Sequence, residues 1–279
     1  MALFDRKFGK EFIQSIPNEA GVYTFSAEDG RTLYVGKAKN LRRRLAQYRR
    51  ARGGKMRKIV KAAASLRFEI CPNELDACLL ELREIQKEKP KLNIAGAFSF
   101  RYPLIGYRVE KTDFFLCFTT TPEVFTEYRF YGAYRSRFIT AEAFFSLVRL
   151  LRFIGHPIKL QSEKKAYTYE YGLRRLPVSW PDFLHGFLNG TSAEFLEQLF
   201  LKLLENAGAR AKSSDIQEGM DALKAFWEQE CEPLARAIAI VGFPTYPVPQ
   251  TERDPLFVRA GFEKKRTLHD VAPPLEPFE

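Results

Sequence analysis

Two tyrosines, an arginine and a glutamate in the first third of this chain are of types that could do chemistry. Tyr23 and Tyr34 fall on two short strands separated by the turn signal Ala27-Glu28-Asp29-Gly30, so a hairpin sets them on adjacent strands. Beyond the hairpin, Leu41, Leu45 and Tyr48 recur at i, i+4 and i+7 and make one apolar helix stripe. Arg44 lies on that same stripe. An unpaired charge there is costly, so the arginine needs a partner. A structural salt bridge satisfies it. So does a phosphate, which suits the planar fork of guanidinium donors. Glu81 sits on a later helix, where Glu74, Glu81 and Glu88 repeat every seven residues. A solvated acidic edge explains that repeat, and spacing alone does not single Glu81 out.

The charge is unevenly distributed along the chain. The chain has 279 residues and a net charge of +10. Residues 1–100 hold 21 basic and 11 acidic side chains, whereas residues 101–279 hold 23 of each. From Arg31 to Leu66 there are 13 Lys and Arg and no acid. Such a face suits a polyanion, with nucleic acid first among candidates. Lys39, Arg42, Arg43, Arg49, Arg50, Arg52, Lys55, Arg57 and Lys58 read as a solvated face that tracks the DNA backbone.

Composition excludes other classes. At 46% hydrophobic and 28% charged residues, the chain is neither disordered nor fibrous. No apolar run approaches the ~18 residues of a membrane span, and the N-terminus MALFDRKFGKEF has no apolar signal core. Cys71, Cys78, Cys117 and Cys231 are scattered without a CxxC pair, and His156, His185 and His269 are isolated. A cytoplasmic protein with no membrane partner and no cysteine-held metal or iron–sulfur cluster is expected.

The elements that must position these residues form a small α/β unit of order β-β-α-α-β-α. Strands are expected over 21–25 and 32–36, then a helix capped by Asn40 running to about Arg52. A basic helix follows over 55–64, a third strand over 66–71, and a helix from Glu74 to Lys89 ended by Pro90. Beyond it, strands are expected over 102–109, 114–119 and 128–131, and a helix over 141–154. The stretch 157–190 looks irregular. Helices over 192–207 and 214–239 read as an antiparallel hairpin, and the Pro-rich tail from 241 reads as extended or partly disordered. The working partition is 1–96, 97–190, 191–240 and 241–279. The tyrosines at 128, 131, 134, 167, 169 and 171 could stack bases, but core packing is the simpler role.

The motif residues extend this reading. Gly21-Val22-Tyr23, Leu33-Tyr34-Val35-Gly36-Lys37-Ala38-Lys39-Asn40-Leu41, Arg44 and Tyr48 resemble the GIY-YIG nuclease family. The similar version is the N-terminal domain of UvrC and its smaller relative Cho. Asn73-Glu74-Leu75-Asp76-Ala77-Cys78-Leu79-Leu80-Glu81 and Lys89-Pro90-Lys91-Leu92-Asn93-Ile94 resemble the family's glutamate helix and the asparagine after it. Ala20 stands where the UvrC pattern has proline. The resemblance implies a mainly antiparallel three-stranded sheet flanked by helices. It also implies a metal-dependent DNA endonuclease making one incision, on the 3′ side of a lesion, in excision repair. Tyr23, Tyr34 and Tyr48 would line the site, and Lys37 and Arg44 would face the scissile phosphate. Glu81 would hold one Mg²⁺ or Mn²⁺, and Asn93 would support the site. The tyrosine that takes the proton stays open.

Weaker similarity to UvrC continues through Tyr102-Pro103-Leu104-Ile105, Phe130-Tyr131-Gly132-Ala133-Tyr134-Arg135-Ser136 and Phe187-Leu188-Asn189-Gly190. The stretch 156–185 has no cysteine where UvrC holds its iron–sulfur segment. The UvrB-binding signature in the hairpin is unclear, and no segment resembles UvrC's second nuclease. The C-terminal region is therefore expected to position the nuclease or meet a protein partner. A non-catalytic DNA-binding module on the same scaffold, or a restriction or mobile-element nuclease, are the competing functions.

Overall fold

The computed structural model describes residues 1–93, 101–160 and 168–271, with side chains through 267. Ile94, Tyr167 and the tail after 271 lie outside the described residues. The chain divides into two compact units, Met1–Phe100 with Lys264–Glu279, and Arg101–Glu263.

In the first unit, α1 (Leu3–Phe8) and α2 (Phe12–Ser15) precede β1 (Gly21–Ser26), β2 (Thr32–Ala38), α3 (Leu41–Arg50), α4 (Gly54–Ala62), β3 (Ser65–Ile70) and α5 (Glu74–Glu88). The sheet is antiparallel, in the order β2-β1-β3. Every β1 residue is buried because helices cover both faces. Tyr23 and Phe25 join the core with Phe4, Leu41, Leu45, Tyr48, Ile59 and Val60. Val22 joins Val35, Ala77 and Ile85 on the α5 side. Alternation along one strand thus feeds two cores, the pattern of a central strand.

Local signals set the helix starts. The Asn40 side chain accepts the Arg43 N–H at 2.8 Å, and the Asn73 side chain accepts the Asp76 N–H at 2.9 Å. Lys89 takes a left-handed conformation (φ 46°) where α5 ends, directly before Pro90. Helix α3 stops at Arg50, two residues short of the expected end. The two N-terminal helices have no counterpart in the sequence reading. At 6 and 4 residues they are too short to show a period. Tertiary contacts hold α1: Asp5 pairs with Arg49 at 2.7 Å, and Lys7 Nζ donates to the carbonyls of Lys61 and Ala63 at the end of α4.

The second unit contains β4 (Leu104–Glu110), β5 (Asp113–Thr119), β6 (Arg129–Tyr131), α6 (Arg137–Leu151), β7 (His156–Ile158) and β8 (Tyr169–Arg174). Its five-stranded antiparallel sheet runs β6-β4-β5-β8-β7. The helices are α7 (Trp180–Leu188), α8 (Glu194–Glu205), α9 (Ala207–Arg210), α10 (Ser213–Phe226), α11 (Glu232–Val241) and α12 (Arg253–Val271).

Three expectations are corrected here. The stretch 157–190 is not irregular: it supplies β7, β8 and α7, and Pro181 stands in the first turn of α7, where its missing N–H costs nothing. The helix expected over 214–239 is interrupted by a π-turn at Trp227–Cys231, just before Pro233 removes a donor. The tail is not extended throughout, because α12 takes up Arg253–Val271 with Pro255 in its first turn. One hydrophobic core joins residues of 97–190, 191–240 and the tail, among them Phe144, Phe187, Phe195, Phe226 and Leu256. No helix among the described residues is long and apolar enough to cross a membrane.

Candidate active site

The outer edge of β2 organises the site. β2 pairs with β1 on one side only, so its other edge carries N–H and C=O groups that need partners. The Asn93 side chain acts as a one-residue strand. Its Oδ1 accepts the Val35 N–H at 2.9 Å and its Nδ2 donates to the Val35 carbonyl at 2.7 Å. Two residues along, the Lys37 N–H donates to Glu81 Oε1 at 3.1 Å. Alternate edge donors thus fix Asn93 and the Glu81 carboxylate.

Glu81 is half-buried, and burial raises its pKa despite the opposing Lys37 charge, the Lys37 N–H and the nearby Arg44. Lys37 Nζ lies 3.6 Å from Glu81 Oε2 and 2.9 Å from Cys78 Sγ. Partial burial opposes the lysine's charge, but the bond to Cys78 and the Glu81 charge outweigh it, and its pKa rises.

The tyrosines gather on the opposite face of β2. Tyr23 sits directly across from Gly36 in the β1–β2 register. A Cβ at position 36 would lie 2.5 Å from Tyr23 Oη, so only glycine admits the ring. Tyr23 Oη is 3.2 Å from Tyr48 Oη and receives the Arg44 Nε–H at 3.1 Å. Arg44 also donates to Gln47 Oε1 at 2.8 Å. Among the described residues no carboxylate pairs with Arg44; its partners are phenolic and amide oxygens. Burial, with a smaller effect from Tyr34, pushes the Tyr23 pKa up to about 12. Burial and the neighbouring Tyr23 and Tyr34 raise Tyr48 further. Tyr34 is half-exposed, 6.2 Å from Tyr23 ring to ring, with Lys55 Nζ 5.0 Å from its ring centroid.

The structure therefore brings Tyr23, Tyr34, Tyr48 and Arg44 together on one side of β2 and Lys37 with Glu81 on the other. The Arg44 charge reaches Glu81 and links the two groups. Asn93 stands behind them and touches the Val35 backbone.

The nine cations expected on the DNA face divide into two kinds. Arg43, Arg50, Arg52, Lys55, Arg57 and Lys58 are exposed. Lys39 is exposed but pairs with Glu74 at 2.7 Å. Arg42 and Arg49 are half-buried and tie elements together. Arg42 Nε donates to the Ile16 carbonyl at 2.6 Å, and Arg49 holds Asp5. Their targets lie in α1, α2 and the loop after α2, the elements that the sequence did not disclose. Cys78 was also missed, although its place three residues before Glu81 puts both on one helix face.

A divalent cation fits Glu81. Its Oε2 forms an ion pair with Lys37 Nζ at 3.6 Å, and a carboxylate so loosely paired keeps lone pairs for a hard cation that retains most of its waters. No group of three or more His, Cys, Asp or Glu that could hold a metal occurs among the described residues, so any ion here would rest on one carboxylate.

Comparison with known proteins follows the same residues. Residues 19–94 match the family model described as the UvrC-like GIY-YIG domain. UvrABC system protein C of Bartonella henselae is 34% identical over 101 residues, covering 36% of this chain and 15% of that protein. The same protein of Geobacter metallireducens is 26% identical over 234 residues, covering 78% of this chain and 38% of that one. The chain thus spans well under half the length of these relatives. Among solved structures, the magnesium-bound GIY-YIG N-terminal endonuclease domain of UvrC from Thermotoga maritima is 38% identical. That match covers 31% of this chain and 96% of that one, with a TM-score of 0.29.

Proposed function

Because residues 19–94 belong to the UvrC-like GIY-YIG domain family, we propose that the chain is a divalent-cation-dependent DNA endonuclease making a single incision in excision repair. The observation that carries the proposal is the placement of Lys37 beside the half-buried Glu81 carboxylate, with Arg44 and three tyrosines clustered on the other face of the same strand, β2. In this reading Glu81 holds Mg²⁺ or Mn²⁺. The ion would supply charge neutralisation at the phosphate and stabilise the leaving oxygen.

The chain's own residues do the rest. Arg44, steadied by Tyr23 and Gln47, presents its guanidinium to phosphate oxygens. Lys37 adds a second positive charge from the other side of β2. Tyr23 and Tyr48 stay protonated at neutral pH because burial raises both, so they act as hydrogen-bonding orienters. Tyr34 is the half-exposed member of the three and the one that borders solvent. The exposed cations of α3 and α4 hold the DNA backbone. The second unit positions the nuclease or meets a protein partner, and the protein works in the cytoplasm.

The test uses end-labelled damaged, branched and intact duplexes, with Mg²⁺ or with chelator. Metal-dependent nicks are expected, and Glu81→Ala and Arg44→Ala should abolish them. Salt-sensitive binding without cleavage would instead make the chain a non-catalytic DNA-binding module. Variants that cut like wild type would show the assigned site to be wrong.

A further inference from the structure

The Lys37 ammonium is held by two side chains on one face of α5. Its Nζ is 2.9 Å from Cys78 Sγ and 3.6 Å from Glu81 Oε2, so the thiol is the nearer contact. Cys78 is buried at 3% exposure, whereas the Lys37 side chain is 43% exposed. A fixed acceptor therefore holds the tip of a long side chain that otherwise borders solvent.

We propose that Cys78 is a positioning residue for Lys37: its sulfur holds the ammonium in place beside the reacting phosphate. The inference rests on the endonuclease reading. A lysine stem has four rotatable bonds, and a charge contributes most when its place is set before the substrate arrives. Glu81 also pairs with Lys37, at 3.6 Å, but a carboxylate partner offsets the charge the phosphate must feel. A cation on Glu81 would also repel the ammonium. The Cys78 sulfur is the nearer contact. It is a weak acceptor, so it biases the side chain without preventing the ammonium from turning to a phosphate oxygen.

Three variants and a double mutant test this. Cys78→Ser keeps an acceptor, and Cys78→Val fills the space without one. Cys78→Val is expected to lower kcat of nicking by roughly three- to tenfold with little change in KM, the pattern of a group acting in the transition state. Cys78→Ser should recover most of that loss. In a Lys37→Ala background, Cys78→Val should cost nothing further, because the partner it serves is gone. Nitrogen NMR of the lysine side chains in metal-free protein gives a readout independent of cutting. A slowly exchanging Lys37 ammonium is expected in wild type and in Cys78→Ser, and should be lost in Cys78→Val. Equal kcat for Cys78→Val and wild type, an undiminished loss in the Lys37→Ala background, or an unchanged Lys37 resonance would each overturn the inference. A wild-type protein that cuts no substrate overturns the endonuclease reading instead, and the resonance still decides whether Cys78 holds Lys37.

Discussion

Replacing Asn93 should cost stability first and activity second. The Asn93 side chain touches no reacting group in this structure. It accepts one hydrogen bond from Val35 and donates one back, at 2.9 and 2.7 Å. Val35 is fully buried and Asn93 is 8% exposed, so in Asn93→Ala both backbone groups lose their partners with little access to water. Each such loss costs about 1–3 kcal/mol, giving about 2–6 kcal/mol together. Against a typical total of about 5–15 kcal/mol, that is a large shift in the urea midpoint, with the slope unchanged. Asn93→Asp sharpens the test. It keeps the acceptor for the Val35 N–H but sets a carboxylate oxygen against the Val35 carbonyl. That contact raises the aspartate's folded pKa, so the variant should be most stable below about pH 4 and lose stability as pH rises through the raised value. Nicking per folded molecule should fall by less than about tenfold in Asn93→Ala, because Glu81 keeps its own bond to the Lys37 N–H. An Asn93→Ala protein whose urea midpoint matches wild type would refute the reasoning. So would one that stays fully stable yet cuts nothing.

Four other outcomes follow from distances and charges. Gly36→Ala would put a methyl 2.5 Å from Tyr23 Oη and 2.9 Å from Tyr34 Cε1, and the buried Tyr23 ring has nowhere to go. The variant should lose about 1–3 kcal/mol in thermal unfolding and all nicking, and a crystal structure should show the Tyr23 hydroxyl moved off Arg44. Tyr23→Phe tests the alkaline limb of stability. Burial raises the Tyr23 pKa from 10.0 to about 12, so its contribution is complete below pH 10 and is lost as pH rises through 12. Two units correspond to about 3 kcal/mol, and urea midpoints above pH 10 should fall less steeply in the variant, with Tyr48 leaving a residual slope. Superimposable curves would count against the burial argument. Arg50→Ala should lower the salt slope of DNA binding by about 1 from a value near −5, the slope for roughly six phosphate contacts. Arg49→Ala should chiefly lower stability, because its charge is spent on Asp5.

The sequence discloses what local periodicity and capping can encode. The β1–β2 hairpin, α3 behind Asn40, and α5 between Asn73 and Pro90 all carry their signals within a few residues. The tyrosines and Arg44 were legible because they sit on those elements, whereas Glu81 stood out from Glu74 and Glu88 only through the resemblance to the GIY-YIG family. Arg42 and Arg49 could not be told from their neighbours, because what distinguishes them is contact with α1, α2 and the loop after α2. These helices form through packing and show no period. The second unit was less legible for a related reason. Pro181 and Pro255 fall in stretches that read as irregular or extended, yet each stands in the first turn of a helix, where a missing N–H is tolerated.

An exposed sheet edge is usually something a protein must blunt, and here the same edge sets the chemistry. The N–H groups of Val35 and Lys37 face away from β1, and the chain after Pro90 closes on that edge when the Leu92 N–H donates to the Leu33 carbonyl. With Leu92 paired there, Asn93 reaches Val35, and α5 brings Glu81 to the next free donor. The carboxylate is thus oriented by backbone rather than by a side chain that could swing away. The arrangement has a cost, since burial disfavours the ionised Glu81, and its partners Lys37 and Arg44 offset only part of that. A protein selected for stability alone would do better with an amide at this position. Glu81→Gln can still accept the Lys37 N–H while removing the buried charge. At neutral pH it should unfold no more easily than wild type, and it should cut no DNA at any Mg²⁺ concentration. If Glu81→Gln unfolds several degrees below wild type, the carboxylate serves the fold, and its proposed role in holding the cation loses its main structural support.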